Sequence, residues 1–331
     1  MLLVSILIWG ISIANVIGKA IDRICLLVTF TFKSLVIRVL SIKSAKISYF
    51  ATEMQHVNLS FNIQAPEINF STAQLFVEVG PTGFLLSILD EANCFKAVVI
   101  YTIDLGLPQQ EISEKLRTIL ITEVLLQKQY LKSHIFWSFT ESILVPAELS
   151  NNDRNINMLN LVFGDGNTGI NKTDFLINQN LQNTYRIPRD IFEIFYTHLP
   201  SATQTHINTK LVSRDFSNDN HLYTIFYNNS INILLCKEGV LQICQNFLYY
   251  NLDQAAFNLL NVCKGFDVDP NTVTLHVNGM IDAQSGLYEA IYKYFLNIKF
   301  DTLPKEFTYY KAIEDLPPHF FSHLFSLATC A

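Results

Sequence analysis

The spacing of apolar positions from Leu75 to Asp104 sets the frame for the rest of the chain. Leu75, Val77 and Val79 alternate with Phe76 and Glu78, the two-residue period of a strand. Gly80-Pro81-Thr82-Gly83 then turns the chain, with two glycines able to take positive φ. Phe84–Leu89 returns, Asp90–Asn93 turns again, and Phe95–Ile103 reads as a third strand from its Val, Ile and Tyr content. After Pro108 the period lengthens. Ile112, Leu116, Ile119 and Leu120 fall on one helical face, and the pattern runs to about Tyr130. Ser133–Pro146 is strand material, Asp153–Phe163 a short helix, Gly164–Gly169 a loop and Phe175–Ile187 extended. Pro188 opens a helix carrying Ile191, Phe192 and Phe195 that stops before Pro200. Gln55–Thr72 shows no firm period and predicts no element.

The same order of elements then recurs. His221–Tyr227 and Ser230–Cys236 flank Asn228-Asn229, two residues that tolerate positive φ and so predict a two-residue hairpin. Lys237-Glu238-Gly239 turns into a third strand, Val240–Tyr250. Asn251 is an N-cap with Gln254 as its reaching-back partner. Leu252, Ala255, Ala256, Leu259, Leu260 and Cys263 form one apolar stripe, closed by Gly265. Val273, Leu275 and Val277 alternate on a strand ended by Asn278-Gly279. A helix carries Leu287, Ile291, Tyr294 and Phe295, and Ile298–Phe300 is a further short strand. Beyond Pro304 the pattern predicts a terminal tail or a small helix.

Composition narrows the reading. Half of the 331 residues are hydrophobic and 12% are aromatic, which excludes a disordered chain. The net charge of −6 is uneven. Residues 1–53 hold six Lys/Arg against two Asp/Glu, which leaves 17 against 27 in the remainder. An acidic body without a Lys/Arg cluster argues against nucleic acid as partner. None of the six cysteines forms a C-x-x-C pair or a zinc spacing. Cys94, Cys236, Cys244 and Cys263 sit in apolar runs, as reduced core cysteines of a cytoplasmic protein do.

The first 53 residues stand apart. Met1–Ile17 is an apolar run, short for a membrane span, which needs about 20 residues. Three readings stay open: a membrane anchor with a basic flank, a signal peptide, or translated non-coding sequence ahead of a start at Met54.

Two copies of strand–strand–strand–helix–strand–helix resemble the duplicated actin-like ATPase (ribonuclease H-like) fold. This is an α/β fold of two lobes, each a mixed sheet flanked by helices. The expected organisation is an apolar extension at 1–53, a first lobe at 70–210, a second at 211–303 and a tail at 304–331. The chain is also similar to a narrower group, the Bacteroidetes family known as domain of unknown function 3822. The residues that carry this likeness are Val77–Phe84, Tyr185–Pro188, Ile225–Asn229, Leu260–Cys263, and Leu275–Asp301 with Gly279, Ile281-Asp282 and Tyr292–Asn297.

The superfamily resemblance implies a nucleotide cleft with two phosphate loops, each with a carboxylate for Mg²⁺ or water. On this chain the matching residues are Glu78, Gly80, Thr82 and Gly83 in the first loop, Asn228 and Asn229 in the second, and Gly279 near the adenosine. The match is degenerate. Glu78 stands where Asp is expected, Pro81 removes one N–H donor, and the second loop has neither glycine nor carboxylate. By their patterns alone, Glu78 reads as an exposed residue on an alternating strand and Asp282 as an N-cap. The expectation is a non-catalytic scaffold or binding module for a protein partner, with no catalytic residue, no metal and no resident cofactor. ATP with Mg²⁺ is the candidate ligand of an alternative reading as a nucleotide switch. A membrane-tethered assembly factor is the third reading, which requires residues 1–53. His319 and His323, at i and i+4, and the Gly164–Gly169 loop are weak metal candidates without a full ligand set.

Overall fold

The computed structural model describes residues 57–104, 106–166 and 168–330; the 1–53 extension lies outside them. Two sheets repeat one topology. In the first, β2 (Gln74–Gly80), β3 (Gly83–Leu89) and β4 (Cys94–Ile103) form an antiparallel meander. β5 (Lys132–Trp137) and β9 (Thr203–His206) then add in parallel beside β2. In the second, β10 (His221–Phe226), β11 (Ser230–Lys237) and β12 (Val240–Leu248) make the meander, and β13 (Thr274–Gly279) and β14 (Asn297–Phe300) add in parallel beside β10.

The first lobe carries two additions. β1 (Val57–Gln64), in a stretch whose sequence predicts no element, pairs antiparallel with β4 and extends the sheet edge. Between β5 and β9 sits a small sheet of β6 (Ser142–Pro146), β8 (Leu181–Pro188) and β7 (Gly169–Leu176), in that order. α2 (Asn152–Phe163) accompanies it, capped by Asn151, whose side chain accepts from Arg154 N.

The central strands of both main sheets are buried on both faces. The outer face of the first, with Leu75, Val77 and Phe84, packs under α1 (Gln109–Thr122) and α3 (Arg189–His198). The outer face of the second, with Leu222, Phe226 and Ile233, packs under α5 (Leu252–Gly265) and α6 (Gly286–Tyr292). The inner faces share one core, in which Phe76, Leu85 and Phe95 of the first sheet join Ile225, Tyr227 and Leu234 of the second. α4 (Ile207–Val212) and α8 (Ser322–Ser326) lie in that inner layer, and α8 touches both β3 and β13.

Local chemistry explains the termini of these elements. Asn251 accepts from Gln254 N at 2.8 Å, and Gln254 reaches back to Tyr250 N at 2.9 Å, a reciprocal N-terminal lock on α5. The β11–β12 turn uses Glu238 and Gly239 at φ 52° and 77°, the left-handed pair of a tight hairpin. Asn228 and Asn229 do not adopt positive φ. Their turn closes instead by Tyr227 N donating to Ser230 O at 2.8 Å. Gly265 does not adopt it either; Asp267, at φ 51°, makes the left-handed turn after α5.

The last segment is core rather than a peripheral tail. After Pro304 the chain lays β15 (Thr308–Tyr309) parallel to β4, forms α7 (Lys311–Glu314) and ends in the inner layer with α8. Phe321, Leu324, Phe325 and Leu327 are all nearly inaccessible, and the Phe325 ring lies 4.3 Å from that of Phe95. Each such burial contributes about 1.5–3 kcal/mol, so the helix expected here is integral to the fold.

Candidate functional site

The β2–β3 and β10–β11 turns meet where the two lobes join. Thr82 Oγ1 lies 3.2 Å from Ser230 Oγ, both buried. Directly beneath, the Tyr227 hydroxyl donates to Glu78 Oε1 at 2.5 Å. Glu78 has no solvent exposure, which corrects its reading as an exposed strand residue. Its parity with Phe76 turns it to the inner face, and that face is filled by the second lobe. Burial, together with the Glu78 charge, raises the Tyr227 hydroxyl pKa well above its usual value, so Tyr227 stays protonated and donating.

The second carboxylate oxygen faces a third element. Glu78 Oε2 is 3.5 Å from His323 Nε2 on α8, and among the described residues neither atom has a hydrogen-bond partner. The histidine tautomer follows from its other side. Asn278 donates its Nδ2 to Asp301 Oδ2 at 3.0 Å and to Ser322 Oγ at 2.6 Å. Its oxygen therefore faces His323, 3.2 Å from both the backbone N and Nδ1, and Nδ1 carries a proton. Tyr227, Glu78 and His323 join the first lobe, the second lobe and the C-terminal helix in one buried polar contact.

The open cleft lies beside this junction. A cavity of about 400 Å³ takes its polar lining from Ser60, Thr102, Asn228, Asn229, Asn251 and the two tyrosines preceding Asn251. No Lys, Arg, Asp or Glu lines it. A Mg²⁺–nucleotide needs carboxylates for the metal and cations or a row of N–H donors for the phosphates. The one carboxylate of the paired turns is Glu78, which is buried and bonded to Tyr227. The residues present do not fit that group.

The glycines are held by close packing. A Cβ on Gly80 would lie 2.4 Å from Ser138 Oγ, and one on Gly83 would lie 3.1 Å from Tyr101 O. Neither adopts positive φ. Gly279 does, at 86°, and a Cβ there would meet Phe226 O at 2.2 Å. It lets β13 press against the end of β10, where Met280 N donates to Phe226 O. Of the residues the sequence singles out, Glu78 and Thr82 meet at the junction, and Asn228 and Asn229 face the cleft.

Tyr227, Ser230, Asn278 and His323 complete the junction, a role that the sequence reading assigns to none of them. One signal was available. Leu75-Phe76-Val77-Glu78-Val79 is apolar at both parities except for Glu78, the mark of a strand buried on both faces, and a carboxylate there requires a partner. The metal candidates resolve into structural roles. His319 sits in the 3-10 turn Pro318–Phe320 and bonds Ile281 O at 2.7 Å, while His323 is on α8. Gly164, Gly166 and Gly169 lie against Arg186, whose guanidinium donates to Glu141 Oε2 at 2.6 Å and to Gly164 O at 3.2 Å. Among the described residues no group of three or more His, Cys, Asp or Glu is placed to hold a metal. Asp282 accepts from Gln284 N, and the N-cap of α6 is Ser285. Cys236, Cys244 and Cys263 are buried thiols, Cys94 is half-buried, and burial pushes Cys244 up to about 12.

Comparison with known proteins agrees with the architecture. The chain is similar to a structure from Bacteroides thetaiotaomicron VPI-5482 described as a protein with actin-like ATPase fold and unknown function. Identity is 17%, the TM-score 0.65, and the match covers 80% of this chain and all of that one. It is also similar to the structure described as the PilM-PilN type IV pilus biogenesis complex, at 9% identity and a TM-score of 0.51, covering 78% of this chain and 98% of that one. No curated protein matches by sequence. The chain therefore has the actin-like ATPase fold. The model of the family described as protein of unknown function (DUF3822) matches residues 64–298, and the chain belongs to that family.

Proposed function

We propose that this member of the DUF3822 family is a non-catalytic actin-like protein that acts as a scaffold or protein-binding module. The supporting observation is the junction: the carboxylate at the first phosphate-loop position is buried, bonded to Tyr227 and faced by His323. The uncharged lining of the neighbouring cleft points the same way. Exposed apolar side chains that a protein partner could cover lie on and beside the small sheet of the first lobe: Leu161 and Val162 on α2, Phe175 on β7 and Ile177 just after it, at 87%, 62%, 69% and 88% exposure. The PilM-PilN complex is a precedent in which a protein of this fold belongs to an assembly. In this reading the protein works in the cytoplasm, and residues 1–53, where present, tether it to a membrane. Among the described residues no helix is long and apolar enough to cross a membrane.

Steady-state ATP hydrolysis with Mg²⁺ tests the reading. The expected result is the same rate as buffer for the wild type and for Glu78→Gln. A wild-type rate that Glu78→Gln abolishes would overturn it.

A further inference from the structure

At the far end of β10 from Asn228-Asn229, four polar side chains form one line. Ser217, in the exposed loop between α4 and β10, has its Oγ 2.6 Å from His221 Nε2. His221, the first residue of β10, has its Nδ1 3.0 Å from His276 Nε2 on β13. His276 in turn faces a carboxylate, with Nδ1 3.6 Å from Asp301 Oδ1. The inner end of the line is held in place. Asp301 Oδ2 accepts from Asn278 Nδ2 at 3.0 Å, and the His276 ring stacks on that of Tyr223 with centres 4.5 Å apart. The sheet register accounts for the meeting. β10 and β13 run parallel with Tyr223 beside His276, and His221, two residues before Tyr223, lies on the same face of the sheet.

A carboxylate can only accept hydrogen bonds. His276 therefore presents Nδ1–H to Asp301, and its Nε2 accepts Nδ1–H of His221. His221 Nε2 is then the unprotonated nitrogen, and it accepts the Ser217 hydroxyl. Burial, with His276 alongside, lowers the His221 pKa and keeps the ring neutral at pH 7; the nearby charges of Asp219 and Lys299 act on it in opposite directions. A hydroxyl bonded to an unprotonated imidazole, itself oriented by a third group, is the arrangement of an activated nucleophile. Ser217 is exposed, so a reactant can reach it. We propose that Ser217 is an activated nucleophile that accepts an acyl group from an activated ester. The Ser217 oxygen bonds to the carbonyl carbon, the bond from that carbon to the leaving alkoxide breaks, and the Ser217 proton passes through His221 Nε2 to the alkoxide. The products are an acyl-serine and an alcohol, with His276 and Asp301 as positioning residues. One group taken up per chain is modification and not turnover, which leaves the scaffold reading intact.

The test is labelling of the full chain with an alkyl fluorophosphonate, in which the serine oxygen bonds to phosphorus and fluoride leaves. Peptide mass mapping is expected to place the label on Ser217, and Ser217→Ala should remove it. His221→Gln, which takes away the base, should slow labelling about a hundredfold or more. p-Nitrophenyl acetate, an activated ester, should compete with the label for Ser217. His276→Asn should slow labelling and move the midpoint of its pH profile up toward the ordinary histidine value of about 6.5, a change that a purely structural residue would not cause. Circular dichroism checks that each variant is folded. Should His221→Gln not fold, the wild-type pH profile gives the readout, with a rate that falls on acidification at a midpoint below about 6.5. No label on Ser217 would overturn the proposal. So would a wild-type labelling rate in folded His221→Gln, a rate independent of pH, or labelling that the ester does not slow. An unmoved midpoint in His276→Asn would overturn the positioning role.

Discussion

The hairpins that open the two lobes are built alike and end differently. Each is the first two strands of a meander with a parallel strand added beside it. The first hairpin keeps a carboxylate and two glycines at its turn; the second has Tyr227, Asn228, Asn229 and Ser230 there. In one polypeptide the two are complementary. Tyr227 of the second hairpin caps Glu78 of the first, and Ser230 meets Thr82. The two turns bond directly to each other. The second turn has no carboxylate, the carboxylate of the first is buried, and the two hairpins make a direct contact between the lobes.

Substitutions can break this contact at graded cost. The largest effect belongs to Glu78→Ala. It leaves the Tyr227 hydroxyl and His323 Nε2 buried without a partner, and breaking a buried charged contact costs about 3–5 kcal/mol. Urea unfolding should show that loss as a lower midpoint.

Next is acid. His206 is fully buried and neutral, accepting from Asn208 N at Nδ1 and donating to Phe139 O from Nε2. Burial lowers its pKa to about 4. The unfolded chain takes up a proton below about 6.5 that the native ring refuses until about 4. Stability should therefore be level above pH 6.5, fall through this window by roughly 3 kcal/mol, and level off below it. Thermal melts from pH 7 to 4 check this, and a profile that rises on acidification would contradict it.

Tyr227→Phe keeps the packing and removes only the donor to Glu78. The loss should be about 1–3 kcal/mol, the cost of leaving a buried acceptor unpaired. Ser230→Ala is smallest, at about 0.5–1.5 kcal/mol. A cycle with Thr82→Ala should recover most of that as coupling between the hairpins.

Much of the repeat was legible in the sequence because both meanders have strong apolar runs separated by Gly, Asn and Asp turns. The strands around Gly80–Gly83, Lys237–Gly239 and Asn278-Gly279 fall where those turns place them. What the pattern could not give was which apolar face meets the other lobe. That depends on contacts between residues far apart in the chain, as with Glu78 and Tyr227 or Phe95 and Phe325. The final segment illustrates the same limit. Pro317-Pro318 reads locally as a break, whereas the Phe and Leu residues after it fill the space between two sheets. Gly80 and Gly83 were legible as essential small residues, but for the wrong reason: they allow Ser138 and Tyr101 to approach and do not supply positive φ.

The most direct test of the junction is calorimetric titration of the full chain with ATP and Mg²⁺. A nucleotide-free structural contact predicts no saturable heat at millimolar ligand from a folded sample, and none from Glu78→Gln. Saturable binding by the wild type that Glu78→Gln removes would show that Glu78 serves a nucleotide, and would contradict the account.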